Sequence, residues 1–311
     1  MNMQREYFRL MLGRKSKFAE ECHLGEFIGA DFGFDFDLSD SLPEDWREFN
    51  KRFRPIFREK FPEKSVVAAG LACGALHTVC KGIKQGDIVL CPNGSGQYWV
   101  GEIISDYYYA SGQNLPSCRH VNWLPVVIDR TEMSAELKNS TGSIGTVSKI
   151  SKYKAEIDSF IAGNTSPTLL STDELVENAT EFALEKHLED FLVKNWINTP
   201  LGVGYDIVED DGEIIGQQYP SDTGPIDILA ISKDKKEYLV VELKKGRASD
   251  AVVGQIQRYM GFVQEDLLEE GQTVRGMIIA LDDDLRMRRA LSVTNNIDFY
   301  RYQINFDLIK N

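Results

Sequence analysis

The chain of 311 residues contains no apolar run close to the roughly 20 residues that a transmembrane helix needs. Its first residues, MNMQREYFRLMLGRKSK, lack the apolar core and the small-residue cleavage site of a signal peptide. Cysteine is also scarce: five residues, an odd number without regular spacing, do not make a disulfide framework. We therefore expect a cytoplasmic protein with no membrane partner.

The cysteines and histidines leave one alternative, a zinc site, in and after an Ala-rich segment. The residue types that bind zinc there are Cys73, His77, Cys80, Cys91, Cys118 and His120. The chain has no C-x-x-C pair, which is typical of structural zinc sites. Small cysteines in an Ala/Val/Leu-rich helix are typical of a hydrophobic core, so we favour a core role over zinc.

Positive charge is scarce in one half of the chain only. Residues 1–165 carry 20 Lys and Arg against 21 Asp and Glu, a net charge of −1. Residues 166–311 carry 15 against 27, a net charge of −12, and the whole chain has −13. An acidic region can still act on phosphates when a divalent cation inverts its local field. The charge therefore does not exclude a nucleic-acid substrate.

Composition divides the chain into two domains. The segment AGNTSPTLLSTDE is rich in small and polar residues, contains proline, and follows a helix-like run. We predict an N-terminal domain over residues 1–162, a linker over 163–174 and a C-terminal domain over 175–311.

The N-terminal segments predict an α+β domain with a small curled sheet or barrel. In DFGFDFDLS, aromatic and acidic residues alternate as in a half-buried strand. GDIVLCP and QYWVGEII, joined by NGSG, predict a hairpin, and CRHVNWLPVVID predicts a further strand. The basic run from Arg47 to Lys64, broken by Pro55, fits a solvated amphipathic helix slightly better than a surface for DNA phosphates.

The C-terminal segments follow the order α-β-β-β-α-β-β, which predicts an α/β domain with a mixed sheet flanked by helices. In GPIDILAISKDKKEYLVVELKKG, Asp227 interrupts one apolar run, and Glu242 and Lys244 interrupt the next. Glu242 and Lys244 share a strand face because residues two apart project together. Converging carboxylates suit Mg²⁺ or Mn²⁺. For Glu242 and Lys244 alone, the alternative is an ion pair at a solvated strand edge.

IDILA and VELKK resemble the motif of PD-(D/E)XK nucleases, and ELKKGRASDAVVGQIQRYMGF is similar to the C-terminal domain of NucS-type endonucleases, also called EndoMS. The resemblance covers about residues 175–305 and implies a Mg²⁺-dependent DNA endonuclease, with Mn²⁺ as the alternative. It implies that Asp227 and Glu242 hold the metal. The active site that it implies comprises Glu185, Asp227, Glu242, Lys244, Gln255 and Tyr259. Glu189 is the alternative to Glu185, and either glutamate fits an exposed helix face nearly as well.

GDIVLCPNGSGQYWVGEIISDYYY and RHVNWLP resemble the PUA/EVE-like modules of modification-dependent restriction enzymes. The resemblance implies a pocket for a flipped, modified base, with flat apolar walls and polar partners for its edge. The candidate walls are Trp99, Tyr107, Tyr108, Tyr109 and Trp123, and the candidate polar partners are Asp106, Arg119 and Asn122. Core packing is the alternative for each tryptophan.

Together these resemblances predict an endonuclease that restricts DNA with a modified base. The alternatives are NucS-type repair of mismatched or branched DNA and a reader of nucleic acid without catalysis, with RNA as an alternative substrate. Since cutting both strands needs two active sites, we expect a homodimer.

Overall fold

In the computed structural model, residues 5–142, 145–163 and 179–303 are described. The chain divides into two compact units, Met1–Leu175 and Val176–Asn311. Apart from Gly163, the predicted linker lies outside the described residues. No helix in the described part of the chain is long and apolar enough to cross a membrane.

The N-terminal unit combines one sheet with helices. Its strands are β1 (Tyr7–Leu10), β2 (Phe27–Ala30), β3 (Ile88–Pro92), β4 (Gln97–Ile103), β5 (Tyr108–Tyr109), β6 (Ser117–Asp129) and β7 (Val147–Lys149). Its helices are α1 (Ala19–Leu24), α2 (Trp46–Lys60), α3 (Val66–His77), α4 (Ala135–Thr141) and α5 (Lys154–Ile161). The strand order is β2-β6-β4-β3-β1-β7, and β5 pairs with β6. No ladder of the described residues joins β2 to β7, so barrel closure is not seen.

The predicted hairpin of β3 and β4 is confirmed. The two strands pair antiparallel, with Leu90 opposite Val100. Gly94 and Gly96 in the connecting turn both have a φ near +87°, a region that glycine adopts at little cost. The NGSG segment therefore supplies the backbone that the hairpin needs.

The predicted strand over Phe32–Leu38 is wrong, because this segment forms turns. Asp31 accepts the Gly33 N–H at 2.8 Å, and Asp37 accepts the Ser39 N–H at 2.9 Å. Phe34 packs against Phe53 and Phe57 of α2. The alternation of aromatic and acidic residues thus reflects turn capping and contacts with a helix.

The predicted break at Pro55 is also wrong, since α2 continues through it. Asp45 caps the start of α2 by accepting the N–H groups of Arg47 and Glu48. Buried Phe49, Phe53 and Phe57 give the helix an apolar face toward the core. The amphipathic-helix interpretation of the basic run fits this arrangement.

The C-terminal unit has a mixed sheet flanked by helices, as the sequence predicts. Its strands are β8 (Tyr205–Ile207), β9 (Glu209–Asp210), β10 (Glu213–Ile214), β11 (Gln217–Ser221), β12 (Gly224–Ser232), β13 (Glu237–Ala248), β14 (Thr273–Asp283) and β15 (Ile297–Arg301). Its helices are α6 (Ala179–Lys194), α7 (Asp250–Asp266) and α8 (Leu285–Leu291). The main order is β11-β12-β13-β14-β15, and β8 also pairs with β12. β13, β14 and β15 run parallel, whereas β11, β12 and β13 pair antiparallel.

The segment GYDIVEDDGEIIGQQYP forms four short strands, β8 to β11. Asp211 and Gly212 both have positive φ, and they turn β9 back onto β10. An Asp-Gly pair with this backbone is typical of a two-residue hairpin turn. The turn leaves Gln217 and Gln218 free to begin a separate strand beside β12.

Helices cover the apolar surfaces of this sheet. Leu188 and Leu192 of α6 pack on a core that includes Ile228, Leu239 and Val241 of the two central strands. On α7, Met260 approaches Gly276 of β14 so closely that a Cβ there would lie 2.7 Å from its sulfur. This packing holds the sheet in contact with α6 and α7, the two helices that also carry predicted site residues.

Candidate active site

The antiparallel pair β12 and β13 brings the three predicted residues together. Ile228 pairs with Val241, which places Asp227 opposite Glu242. The Leu243 N–H donates to Oδ2 of Asp227 at 2.8 Å. Lys244 Nζ lies 3.0 Å from Oε1 of Glu242. The predicted shared face of Glu242 and Lys244 is confirmed.

Burial distinguishes this group from a surface ion pair. Glu242 is 1% exposed, and its Oε2 has no hydrogen-bond partner among the described residues. Asp227 is half-buried, and the Lys244 side chain is 31% exposed. A buried carboxylate oxygen without a partner is costly unless a cation or a hydrogen bond compensates it. The alternative of a solvated strand edge therefore does not describe Glu242.

The two strand carboxyls are hard to ionise together. Burial, with the negative charges of Glu242 and Glu189, raises the pKa of Asp227 well above its usual value. Burial also raises the pKa of Glu242, and the Lys244 ammonium opposes this rise. Burial would lower the pKa of Lys244, but Glu242 and Glu185 raise it to about 12. The two carboxyl groups therefore need more positive charge nearby than Lys244 supplies before both can ionise easily.

Helix α6 contributes both of the glutamates that the sequence offered as alternatives. Glu185 accepts the Lys245 N–H at 3.2 Å, and its charge acts on Glu242 and Lys244. Glu189 is 4% exposed and lies on the side of Asp227, whose pKa its charge raises. The two side chains are one helical turn apart, so both face the strand pair. Glu185 acts on Glu242 and Lys244, and Glu189 acts on Asp227.

Sequence reasoning missed two glutamines of β11. Nε2 of Gln217 donates to Glu189 at 2.6 Å and to Asp190 at 3.2 Å. Nε2 of Gln218 donates to Glu189 at 2.6 Å and to Asp227 at 3.1 Å. The only local signal is the doubled glutamine before YPSDTGPID. Its meaning depends on the register of β11 against β12, which a single sequence does not give.

Helix α7 supplies Gln255 and Tyr259. Nε2 of Gln255 donates to the Tyr259 hydroxyl at 3.2 Å, as the four-residue spacing predicts. Burial raises the pKa of Tyr259, and the charges of Glu242 and Asp227 add to this effect. Tyr259 therefore lies beside the strand carboxylates. The structure places all six predicted residues of this site in one region of the C-terminal unit.

The donor set fits a divalent cation. No group of three or more His, Cys, Asp or Glu side chains among residues 5–142, 145–163 and 179–303 is arranged to hold a metal ion. Mg²⁺, however, binds through one or two carboxylates and keeps several waters. Asp227 and Glu242 offer two carboxylates, and one oxygen of Glu242 has no partner among the described residues. These oxygen donors suit Mg²⁺ or Mn²⁺.

In the N-terminal unit, Trp99 and Trp123 form one aromatic cluster with a residue that the sequence did not suggest, His23. The His23 ring stacks on Trp99 at 4.1 Å and lies 5.2 Å from Trp123. The two tryptophan rings meet edge to face at 6.3 Å. Gly101 lets the Trp123 ring lie across β4, because a Cβ there would be 2.9 Å from it. Both tryptophans are half-buried, and Nε1 of Trp123 has no partner among the described residues.

Arg119, which the sequence offered as a polar partner for a base, is buried in the structure. It is 3% exposed, and its guanidinium donates to the carbonyls of Val79 and Cys80 at 2.6 Å and of Ser105 at 3.0 Å. Val79 and Cys80 lie in a π-helical turn, Thr78–Gly82. Arg119 therefore satisfies backbone acceptors inside the unit.

The tyrosines are divided among different neighbours. The Tyr107 hydroxyl accepts the Leu38 N–H at 3.2 Å, and the Tyr108 ring stacks on His120 at 4.5 Å. Tyr109 is half-buried in β5, opposite Ser117. Within the described residues, no ring contact joins Tyr107 or Tyr109 to the tryptophan cluster. Asp106 and Asn122 are exposed.

The cysteines are free and buried. Sγ of Cys118 donates to the Leu115 carbonyl at 2.8 Å, and the His77 ring lies 3.1 Å from the Pro43 carbonyl. Burial raises the pKa of Cys73 and Cys80 to about 12, which disfavours the thiolate that zinc requires. In the part of the chain that the structure describes, no metal-holding group forms around them.

Comparison with known proteins bears on each unit separately. Residues 193–308 match the family model described as the endonuclease NucS C-terminal domain. The C-terminal unit resembles a NucS-type nuclease domain. Residues 8–151 match a domain of unknown function (DUF8426), a description that does not mention a PUA- or EVE-like module. No curated protein matches the chain.

Three solved structures are distantly similar to the chain. A repair endonuclease from Pyrococcus abyssi is 16% identical with a TM-score of 0.29, and the match covers 68% of this chain and 66% of that chain. An EndoMS complex with double-stranded DNA is 14% identical with a TM-score of 0.32, covering 71% and 66%. EndoMS in apo form is 19% identical with a TM-score of 0.28, covering 39% and 45%. The chain thus spans less than two thirds of each of these proteins, and such low scores carry no argument.

Proposed function

We propose that the C-terminal unit is a divalent-cation-dependent DNA endonuclease of NucS type. The observation that carries the proposal is the convergence of Asp227, Glu242 and Lys244 on paired strands, with a buried carboxylate oxygen that has no partner among the described residues. The match of residues 193–308 to a nuclease domain supports the same reaction. A DNA substrate is the one that the resemblance to NucS-type endonucleases implies.

Each residue has a chemical task in hydrolysis of a phosphodiester. A divalent cation held by Asp227 and Glu242 would polarise the phosphate and lower the pKa of a bound water. The Lys244 ammonium, fixed 3.0 Å from Glu242, can donate to a phosphate oxygen as negative charge develops there. Glu185 places a negative charge near the Lys244 ammonium and accepts the N–H of the next residue, Lys245. Gln255 orients the Tyr259 hydroxyl beside the carboxylates.

Cleavage of duplex DNA with Mg²⁺ by the wild type, Asp227→Asn and Lys244→Met tests the proposal. We expect Asp227→Asn to lose about 1000-fold in rate, the several kcal/mol that a bound cation supplies. We expect Lys244→Met to lose about 100-fold, as when one charge-stabilising donor is removed. Asp206→Asn is the matched control, since Asp206 is exposed on β8 of the same sheet. Cleavage by Asp227→Asn at the wild-type rate would falsify the assigned site.

Two substrate classes follow from different observations. The NucS-type match favours mismatched or branched DNA, as in repair. The cluster of His23, Trp99 and Trp123 favours recognition of a single base, because aromatic faces hold a base removed from its stack. A PUA/EVE-like module reading a modified base would give a restriction nuclease.

A cleavage screen separates these classes. Duplexes that differ only in a mismatch, a branch, a modified base or an RNA strand are incubated with the wild type and Trp99→Ala. Repair predicts preference for mismatched or branched DNA that Trp99→Ala retains. Restriction predicts preference for the modified duplex that Trp99→Ala loses. Binding without cleavage of any substrate indicates a reader.

We also expect a homodimer, since breaking both strands needs two active sites. Sedimentation velocity with duplex DNA measures the oligomeric state.

A further inference from the structure

Gln218 occupies an unusual place beside the candidate site. β11 pairs with β12 so that Gln217 faces Ile228 and Tyr219 faces Ile226, which puts Gln218 opposite Asp227. Successive side chains of a regular strand point to opposite faces. Here both Gln217 and Gln218 reach the Glu189 carboxylate. The positive φ of Gln218, 51°, provides the departure from strand geometry that this requires. Such backbone strain is found where the surrounding structure holds a residue for function.

The amide group of Gln218 has both of its hydrogens committed. Nε2 donates to Oε2 of Glu189 at 2.6 Å and to Oδ1 of Asp227 at 3.1 Å. Both acceptors are carboxylate oxygens, so the nitrogen rather than the amide oxygen must face them. The Leu243 N–H donates to the other oxygen of Asp227 at 2.8 Å. Two donors therefore fix the plane of the Asp227 carboxylate.

Glu189 is itself fixed. It is 4% exposed, and its Oε1 accepts from Lys186 at 2.9 Å and from Gln217 at 2.6 Å. Its remaining oxygen, Oε2, accepts from Gln218. A carboxylate accepts but does not donate, so Glu189 dictates which end of the Gln218 amide points at Asp227.

From this geometry we propose that Gln218, oriented by Glu189, is a positioning residue that presets Asp227 for a divalent cation. The inference rests on the proposed function and adds an outer set of residues to its metal site. Hydrogen-bond partners of metal-binding carboxylates orient them, and their loss typically costs 10–100-fold in metal affinity.

Mn²⁺ binding in the absence of DNA, measured by isothermal titration calorimetry on the full chain, tests the role of Gln218. Gln218→Met keeps the length of the side chain and its backbone preference but cannot donate. We expect its Kd for Mn²⁺ to rise about 10–100-fold. Gln217→Met is the matched control, because Gln217 contacts Glu189 but not Asp227, and Lys186 still donates to the same Glu189 oxygen in that variant. We expect its Kd to change less than about threefold.

The outcomes separate positioning from folding. A glutamine that only stabilised β11 would lower the melting temperature and leave the Kd for Mn²⁺ unchanged, and that result overturns the inference. Equal weakening by both methionine variants also overturns it. If the wild type binds no Mn²⁺, the proposed metal site fails and the inference fails with it. If the wild type binds Mn²⁺ and cleaves DNA while Gln218→Met binds equally well, only the positioning role fails.

Glu189→Gln provides a second arm that does not alter β11. Its single amide oxygen cannot serve both glutamines, so we expect weaker Mn²⁺ binding. Because Glu189 acts through Gln218, adding Glu189→Gln to Gln218→Met should change the Kd less than about twofold. Effects that multiply in the double variant would show that the two residues act independently, contrary to the inference. If Gln218→Met folds poorly, Glu189→Gln alone still tests the inference, and an unchanged Kd for Mn²⁺ in that variant overturns it.

Discussion

Among single residues, Gly224 has a backbone conformation that bears directly on the candidate site. It begins β12 with a φ of +128°, which side chains other than glycine rarely adopt. A Cβ at this position would lie 3.1 Å from the Tyr259 hydroxyl. A glycine three residues before Asp227 therefore suits both the backbone of the turn and the close approach of the Tyr259 hydroxyl.

Gly224→Ala should impair cleavage by displacing the Tyr259 hydroxyl from the carboxylates. We expect a loss of about 1–3 kcal/mol in stability from the strained φ, and about a tenfold loss in cleavage rate. Gly212→Ala is the control: its φ is +74°, and a Cβ there meets nothing within 4 Å. Urea unfolding and single-turnover cleavage measure the two effects. Equal loss of cleavage in both variants would show that strain alone, rather than Tyr259, is responsible.

At the scale of elements, the central hairpin of the C-terminal unit was predictable and its surroundings were not. Two apolar runs around a polar turn indicate β12 and β13, and the period of two places Glu242 beside Lys244. The glutamates of α6 and the glutamines of β11 converge through contacts far apart in sequence. Local patterns do not encode that convergence, so Glu185 and Glu189 stood as alternatives although both reach the site.

In the N-terminal unit, tertiary contacts outweigh what the sequence alone suggested. Alternating Phe and Asp residues predict a strand over Phe32–Leu38, but turn capping by Asp31 and Asp37 prevails. Arg119, which the PUA/EVE-like resemblance implies as a polar partner for a base, is buried. Its burial against a π-helical turn depends on α3, about 40 residues earlier in the chain. Tertiary contacts decide both positions.

Replacing Arg119 should destabilise the junction between β6 and the π-helical turn. Arg119→Met leaves three carbonyl acceptors without their donor, and we expect a loss of about 3 kcal/mol in unfolding free energy. Arg119→Lys should recover only part of this, because one ammonium cannot reproduce the planar guanidinium. Urea unfolding followed by tryptophan fluorescence measures the change. Unchanged stability with weaker binding of a modified duplex would instead support the original base-edge role.

At the scale of the whole molecule, the distribution of charge sets the conditions for DNA binding. Residues 166–311 carry a net charge of −12 and include all of the candidate site, whereas residues 1–165 carry −1. DNA phosphates are repelled by such a region unless a cation intervenes. Asp227 and Glu242, which would hold the cation, thus link DNA binding by this acidic region to the proposed cofactor.

Divalent cations should therefore strengthen DNA binding apart from catalysis. At constant ionic strength, replacing EDTA by Ca²⁺ is expected to lower the Kd for duplex DNA about tenfold, or about 1.4 kcal/mol. Ca²⁺ takes the same oxygen ligands as Mg²⁺. The combined variant Asp227→Asn/Glu242→Gln should bind DNA almost equally with and without Ca²⁺, while Asp206→Asn should respond as the wild type does. Fluorescence anisotropy measures each Kd. If the combined variant keeps the full response to Ca²⁺, the cation acts elsewhere on the acidic surface and the coupling to Asp227 and Glu242 is wrong.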